Sequence, residues 1–125
     1  MKYRKITTAD VPEPQGGIYS NCLVVGDQIF MAGMVASGDG MEAQARAVFT
    51  KIDKLLKAAG SSLADVVKMT VYVTDMSNRP EFGKVRGEFF PGNKPCSTMI
   101  EVKGLAQPDW MVEVDVTAIK GAGTA

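Results

Sequence analysis

The spacing of apolar residues switches between a helical period and a two-residue period along the chain, and this restricts the fold more than any other feature. Residues 110–119 alternate strictly, as in a strand with one buried face. An earlier segment, residues 41–59, has a helical apolar stripe that comprises Ala45, Val48, Ile52, Leu55, Leu56 and Ala59. The order of such segments predicts an α+β chain, β-β-β-α-β-α-β-β, with one mixed sheet and two helices on one face.

The other elements follow from the same two periods and from turn residues. Gly26 and Asp27 separate two short apolar runs, which predicts a β-hairpin within residues 21–36. Gly60 is well placed to end the first helix in a left-handed turn. The remaining elements are strands at 2–7, 66–74 and 95–102 and a second helix at 79–90.

The two faces of the last two strands carry different residues. In the segment 95–102, Thr98, Ile100 and Val102 share one face and are expected to pack under the helices. The opposite face would then combine the carboxylates of the last strand with apolar side chains, namely Ser97, Met99, Glu101, Met111, Glu113 and Asp115. Such a mixture is unusual for a solvated surface, so we expect this face to meet another subunit.

Length, charge and hydropathy limit the classes of protein. The 125 residues suit one hydrophobic core, so residues 1–125 are expected to form a single domain. Lys plus Arg and Asp plus Glu both number 14, and this zero net charge argues against a nucleic-acid partner. No apolar run suggests a signal peptide or a membrane span, which predicts a cytoplasmic protein without membrane contact.

The chain has no histidine, so the usual general base at neutral pH and the commonest metal ligand are missing. This argues against a zinc hydrolase and a Ser-His-Asp enzyme, and no metal is expected. Cys22 and Cys96 are far apart in sequence, and both are expected to be reduced, buried thiols rather than a disulfide or a nucleophile.

Seven segments, in order and spacing, resemble the RidA (YjgF) family. They are residues 17–20, 30–33, 42–45, 58–68, 71–76, 89–90 and 95–102. The resemblance implies a chorismate-mutase-like fold, a homotrimer with a small-molecule cleft between neighbouring subunits, and no cofactor. It also implies a candidate activity, since archetypal members hydrolyse enamines and imines such as 2-iminobutanoate to 2-keto acids and ammonia.

Three residues depart from the family's cleft. Ser97 stands where the archetype has an arginine that binds the substrate carboxylate, Met99 where it often has a cysteine, and Gly83 where it usually has an asparagine. Losing the charge-assisted contact of that arginine costs on the order of 1.5–3 kcal/mol. We therefore expect archetypal deaminase activity to be weak or absent.

Three other residues match the family's cleft. The resemblance implies that Tyr19 closes over the ligand, that Gly33 offers a backbone contact, and that Glu113 positions the attacking water. Two of them also have a structural interpretation, since Tyr19 can serve packing and Glu113 can pair with a donor of a neighbouring subunit.

The missing arginine leaves two explanations open. Either the ligand lacks a carboxylate, or another cation reaches the cleft. Arg86 and Lys94 are the candidates nearest in sequence to the altered positions, with Arg79 and Lys84 further away. The ordinary interpretation of all four is a charged side chain exposed to solvent without a binding role.

Three functions fit these observations. The first is a hydrolase of an imine, an enamine or a related small metabolite in which Glu113 positions water while Ser97 and Tyr19 orient the ligand. The second is a trimer that binds a small ligand without turnover. The third, single-stranded RNA cleavage, is the weakest because the chain has zero net charge, no histidine and no basic-aromatic stripe.

Overall fold

The computed structural model describes residues 2–123 as one six-stranded sheet with two α-helices. Three short 3₁₀ turns lie in the connections. The strands and helices, in chain order, are β1 (Tyr3–Lys5), β2 (Cys22–Val25), β3 (Gln28–Met31), α1 (Met41–Ala58), β4 (Val66–Val73), α2 (Arg79–Phe89), β5 (Cys96–Glu101) and β6 (Val112–Ile119). This order confirms the predicted β-β-β-α-β-α-β-β arrangement.

The strand order explains why both helices lie on the same face. Spatially the strands run β1-β2-β3-β6-β4-β5, and every neighbouring pair is antiparallel except the parallel pair β4 and β5. Strands β3, β4 and β5 therefore all point the same way, and α1 and α2 are crossover connections between them. Both crossovers step in the same direction across the sheet, so the right-handed rule places both helices on one face.

Helix α1 buries its predicted apolar stripe between the sheet and helix α2. Val48, Ile52 and Leu55 are completely buried. Phe49 contacts the rings of Phe82 and Phe90 of the second helix region, with ring centroids 5.6 and 5.4 Å away. At the end of α1, Gly60 takes the predicted positive φ of 80°, a conformation that favours glycine.

The hairpin at the other end of the sheet also follows the prediction. Val25 pairs with Gln28, so Gly26 and Asp27 form the two-residue turn between β2 and β3. Gly26 has φ of 60°, as a turn of this type requires.

The predicted orientation of strand β5 is wrong. Met99 lies beside Val71 of strand β4 in the sheet, and Val71 is completely buried on the helix-covered face. Ser97 and Met99 therefore face the helices, while Thr98 and Ile100 lie on the open face. Ile100 is 43% exposed as a result. Because β5 is an edge strand, its pairing with β4 fixes its faces, whatever its own apolar pattern.

The two cysteines differ in environment. Cys22 is buried, and burial, together with the charge of Glu13, raises the pKa of its thiol to about 11. Cys96 begins strand β5 on the open face and is exposed, so the expectation that it is buried is wrong. Both thiols are free.

Gln44 connects three segments of backbone beneath helix α1. Its Nε2 donates to the carbonyl oxygens of Gly38, at 3.1 Å, and Asp109, at 2.8 Å. Its Oε1 accepts a hydrogen bond of 2.8 Å from the backbone N–H of Met111. The side chain is only 1% exposed, so these bonds satisfy a buried amide and hold the loop before β6 against α1.

Replacing Gln44 with alanine should lower the free energy of unfolding by about 2–4 kcal/mol, because it leaves buried backbone groups without partners. Urea unfolding followed by circular dichroism measures the change. Gln107→Ala is the matched control, since the Gln107 side chain is exposed in the same loop. Equal stability of the two variants would show that the loop does not depend on Gln44.

Candidate functional site

A cavity of about 350 Å³ lies between helix α2 and the start of strand β5. Four of the residues singled out from the sequence meet here: Gly83 and Arg86 from the helix, Lys94 from the connection, and Ser97 from the strand. The complete lining consists of Gly83, Arg86, Gly87, Phe90, Lys94, Pro95 and Ser97. The volume suits a small metabolite.

Helix α2 forms one wall of the cavity with a single stripe of side chains. Gly83, Arg86, Gly87 and Phe90 recur at the i, i+3, i+4 and i+7 spacing of one helix face. A Cβ added at either glycine would meet no atom within 4 Å. The two glycines thus leave open space on both sides of Arg86.

The Arg86 side chain is held by two contacts. Its Nη1 donates a hydrogen bond of 3.1 Å to Oγ of Ser97, and its guanidinium carbon lies 5.4 Å from the centre of the Phe82 ring. Within residues 2–123, no carboxylate forms an ion pair with Arg86. The guanidinium therefore lines the cavity with its charge uncompensated.

Lys94 has a structural task at the end of the same helix. Its Nζ donates to the carbonyl oxygens of Phe90, at 2.9 Å, and Pro91, at 3.4 Å. A cation that binds the last carbonyls of a helix also interacts favourably with the helix dipole. Of the two cations near the altered positions, Arg86 thus has more free donors: four of its five N–H groups, against one of three for Lys94.

A second cavity, of about 130 Å³, lies near strand β3 and contains Tyr19 and Gly33. The Tyr19 side chain is 53% exposed. Lys51 also lines this cavity, and its Nζ donates a hydrogen bond of 2.6 Å to the carbonyl oxygen of Val35. The complete lining consists of Val11, Pro12, Pro14, Tyr19, Asn21, Gly33, Met34, Val35 and Lys51.

Glu113 lies against Gly33 on the open face of the sheet. A Cβ added to Gly33 would overlap Oε2 of Glu113, so the absence of a side chain at Gly33 makes room for this carboxylate. Burial, and secondly the charge of Asp115, raise the pKa of Glu113 above its ordinary value. A carboxylate with a raised pKa is better suited to accept a proton near neutral pH.

Within one protomer the predicted residues form two groups. The α2–β5 group comprises Gly83, Arg86, Lys94 and Ser97, and the β3–β6 group comprises Tyr19, Gly33 and Glu113.

Two predicted site residues, Glu113 and Met99, line neither cavity: Glu113 lies against Gly33, which lines the smaller one. Met99 packs against the hydrophobic core.

Sequence reasoning did not single out three of the residues that line the cavities, Gly87, Phe90 and Lys51. Gly87 and Phe90 could have been found from their spacing of four and seven residues from Gly83 on one helix face. The sequence gives no comparable signal for Lys51.

A comparison with protein families decides the membership of the chain. The model of the family described as endoribonuclease L-PSP matches residues 9–120, nearly the whole chain. The chain belongs to this family. The endoribonuclease L-PSP family includes the YjgF proteins, so the resemblance drawn from the seven sequence segments is confirmed.

Relatives in the endoribonuclease L-PSP family match along almost their full length. A RutC family protein of Pyrococcus horikoshii is 35% identical over 124 residues, which cover 92% of this chain and 96% of the relative. A RutC family protein of Pyrococcus abyssi is 35% identical over 129 residues, with 96% and 99% covered.

Solved structures confirm the fold of this endoribonuclease L-PSP family member. A Pseudomonas aeruginosa protein of unknown function superposes with a TM-score of 0.90 at 34% identity, covering 96% of this chain and 94% of its own. A YjgF family member from Mycobacterium tuberculosis gives 0.87 at 33% identity, covering 94% and 99%.

Residues 2–123 contain neither a candidate membrane-spanning helix nor a cluster of metal-binding side chains. No helix there has the combination of length and apolar character that a bilayer span requires. Acidic, cysteine and histidine side chains in the same part of the chain do not gather in the groups of three that would hold a metal ion.

Replacing Gly33 with alanine should displace the Glu113 carboxylate and leave the fold intact. The new Cβ would overlap a flexible side chain, which can rotate away. We expect a changed carbon-13 shift of the Glu113 carboxyl in NMR spectra, and a melting temperature within about 4 °C of the unsubstituted protein. Gly104→Ala is the control, because a Cβ there meets nothing within 4 Å. An unmoved Glu113 signal would contradict the contact.

Asp115→Asn should lower the pKa of Glu113 but leave it above the ordinary value, because burial is the larger cause of the shift. Carbon-13 NMR titration of the Glu113 carboxyl measures this, and Asp27→Asn in the exposed hairpin turn is the control. Since the folded pKa is raised, Glu113 stabilises the fold fully only below its unfolded pKa of about 4.3. That contribution is lost as the pH rises through the folded pKa. A pKa unchanged by Asp115→Asn would contradict the electrostatic coupling.

Proposed function

We propose that this protein is a homotrimer that hydrolyses a small imine, or an enamine after its tautomerisation to the imine, at the C=N bond in a cleft between subunits. The observation that carries the proposal is the division of the predicted site into two groups. In the proposed trimer, the α2–β5 group of one subunit faces the β3–β6 group of its neighbour. The two cavities, together with the Glu113 carboxylate beside Gly33, would then form one site with a cation, a hydroxyl and a carboxylate.

The open face of the sheet supports association with further copies of this chain. Large apolar side chains are exposed on it, including Phe30 and Ile100, each 43% exposed, and Ile119, 38% exposed. The half-buried carboxylates Glu113 and Asp115 lie on the same face. An exposed apolar patch of this kind is typical of an interface, and a second copy has the same near-neutral charge.

The chemistry requires a base beside the reacting carbon. Water adds across the C=N bond: its oxygen bonds to carbon, and Glu113 accepts a proton that passes to nitrogen. The hydroxyl proton of the resulting carbinolamine then passes to nitrogen through Glu113 as the C–N bond breaks, which releases ammonia and leaves a carbonyl. The raised pKa of Glu113 suits it to accept and return that proton. Ser97 and Tyr19 orient the ligand from the two sides of the cleft.

A second candidate function is ligand binding without turnover. Ser97 favours it, because a hydroxyl supplies one hydrogen bond where archetypal members supply a charged guanidinium. Endoribonuclease activity, the description carried by the family, is a weaker candidate because the chain has zero net charge and no histidine.

Light scattering and ammonia release together test the proposal. We expect a trimer in solution, a rate near background with 2-iminobutanoate, and turnover of larger 2-imino acids generated in situ from leucine or phenylalanine by an amino acid oxidase. Glu113→Gln should reduce that turnover by about 10²-fold or more, the usual loss when a general base is removed. Glu81→Gln, an exposed carboxylate of helix α2, is the matched control.

The outcomes separate the candidates. A monomer would contradict the composite cleft and therefore the whole proposal. A trimer that binds these compounds without releasing ammonia supports the second candidate. Turnover that survives Glu113→Gln contradicts the assigned base.

A further inference from the structure

The cation that replaces the family's arginine can be identified from the contacts of helix α2. We propose that Arg86 binds the carboxylate of a ligand whose apolar body fills the cavity between α2 and β5. The anchoring guanidinium would thus have moved from the strand to the facing helix. This assignment deepens the proposed function, because it names the ligand class for the same site.

Arg86 has more free donors than Lys94, the other cation of the cavity, whose Nζ gives two of its three N–H groups to carbonyl oxygens. The neighbours of Arg86 on helix α2 are neutralised by helix α1: Lys84 pairs with Glu42 at 3.0 Å, and Glu88 pairs with Arg46. Arg86 forms no ion pair with any residue in the described range 2–123. Its one hydrogen bond, to Ser97, uses one of its five N–H donors.

Ser97 and Phe82 orient the guanidinium and add a second donor. In the hydrogen bond with Arg86, the Ser97 oxygen accepts, so its own O–H is free to donate. The Phe82 ring lies beside the guanidinium, 5.4 Å from ring centre to Cζ, and is completely buried, so it provides a fixed surface. A carboxylate oxygen in the cavity would therefore meet N–H donors from the helix and an O–H donor from the strand.

The cavity also indicates what carries the carboxylate. Its volume is about 350 Å³, and its walls next to Arg86 are two glycines, Phe90 and Pro95. Apart from Arg86, Lys94 and Ser97, the lining has no polar side chain, and Lys94 already binds two carbonyl oxygens. Such walls favour an apolar chain or ring over further charged groups.

Pairs of ligands that differ only in charge test the proposal. The probes are butanoate, 4-methyl-2-oxopentanoate, benzoate and phenylacetate, each compared with its primary amide by calorimetry at constant ionic strength. For the unsubstituted protein we expect each of the two ring carboxylates to bind more tightly than its amide and more tightly than butanoate. Arg86→Met, which keeps the stem over Phe82, should weaken carboxylate binding by about 10- to 100-fold and leave amide binding unchanged.

Two further variants serve as comparisons. Arg86→Lys keeps the charge but loses the planar donor geometry, so binding should be intermediate. Lys84→Met removes one positive charge from the same helix at an ion-paired position, and carboxylate binding should be unchanged. Circular dichroism and light scattering confirm that each variant keeps the fold and the oligomeric state of the unsubstituted protein.

The results distinguish this inference from the proposed function. The inference is overturned if no carboxylate is preferred over its amide, if Arg86→Met leaves the preference intact, or if Lys84→Met abolishes it equally. Carboxylate binding that depends on Arg86 but gives no ammonia with any imine supports the inference and contradicts hydrolysis. Turnover that depends on Glu113 but has a KM unaffected by Arg86→Met supports hydrolysis and contradicts the role of Arg86.

Discussion

The packing of four phenylalanine rings between the two helices determines the position of helix α2, which carries Arg86 in the α2–β5 site. Phe49 of helix α1 lies 5.4–5.6 Å, between ring centres, from Phe82, Phe89 and Phe90. Burying Phe82 and Val85 fixes the rotation of α2 about its axis. With that rotation set, the next stripe of the helix, which contains Arg86, faces the edge strand β5. The helix wall of the cavity is therefore a consequence of core packing, because the rotation of α2 already directs Arg86 toward it.

The β3–β6 group depends on a different constraint, the uncovered face of the sheet. Both helices occupy the other face, so Glu113 and Asp115 lie half-buried among exposed apolar side chains. Burial and the neighbouring carboxylate disfavour the charged form of Glu113 in the folded protomer. A proton acceptor with a raised pKa is what C=N hydrolysis needs. A neighbouring subunit would cover the same face without a change in the fold.

The sequence predicted the elements well because their signals are local. The helical stripe of α1, the turn at Gly26 and the end of the helix at Gly60 were all confirmed. The faces of β5 were predicted wrongly because they depend on pairing with β4, a contact between distant segments. In an edge strand that begins with exposed residues, the apolar pattern of Thr98 and Ile100 does not reveal which face is covered.

The candidate site was predictable residue by residue but not as an arrangement. Alignment with the family singled out Ser97, Gly83 and Glu113, while nearness in sequence singled out Arg86 and Lys94 equally. The structure distinguishes the two cations that line the cavity: Lys94 gives two of its three donors to the end of helix α2, whereas Arg86 gives one of five to Ser97. Whether the cleft lacks a cation or has one at another position thus depends on hydrogen bonds that the spacing of residues in the sequence does not predict.

The composition of helix α2 is itself an argument that the cavity is used. Glycine inside a helix is about 1 kcal/mol less favourable than alanine, and α2 contains Gly83 and Gly87 within 11 residues. Neither glycine has positive φ, and neither is close to another atom that would exclude a methyl group. No packing or backbone requirement of the protomer therefore explains them. What they do provide is open space on both sides of Arg86, which an apolar ligand body would occupy while the guanidinium holds its carboxylate.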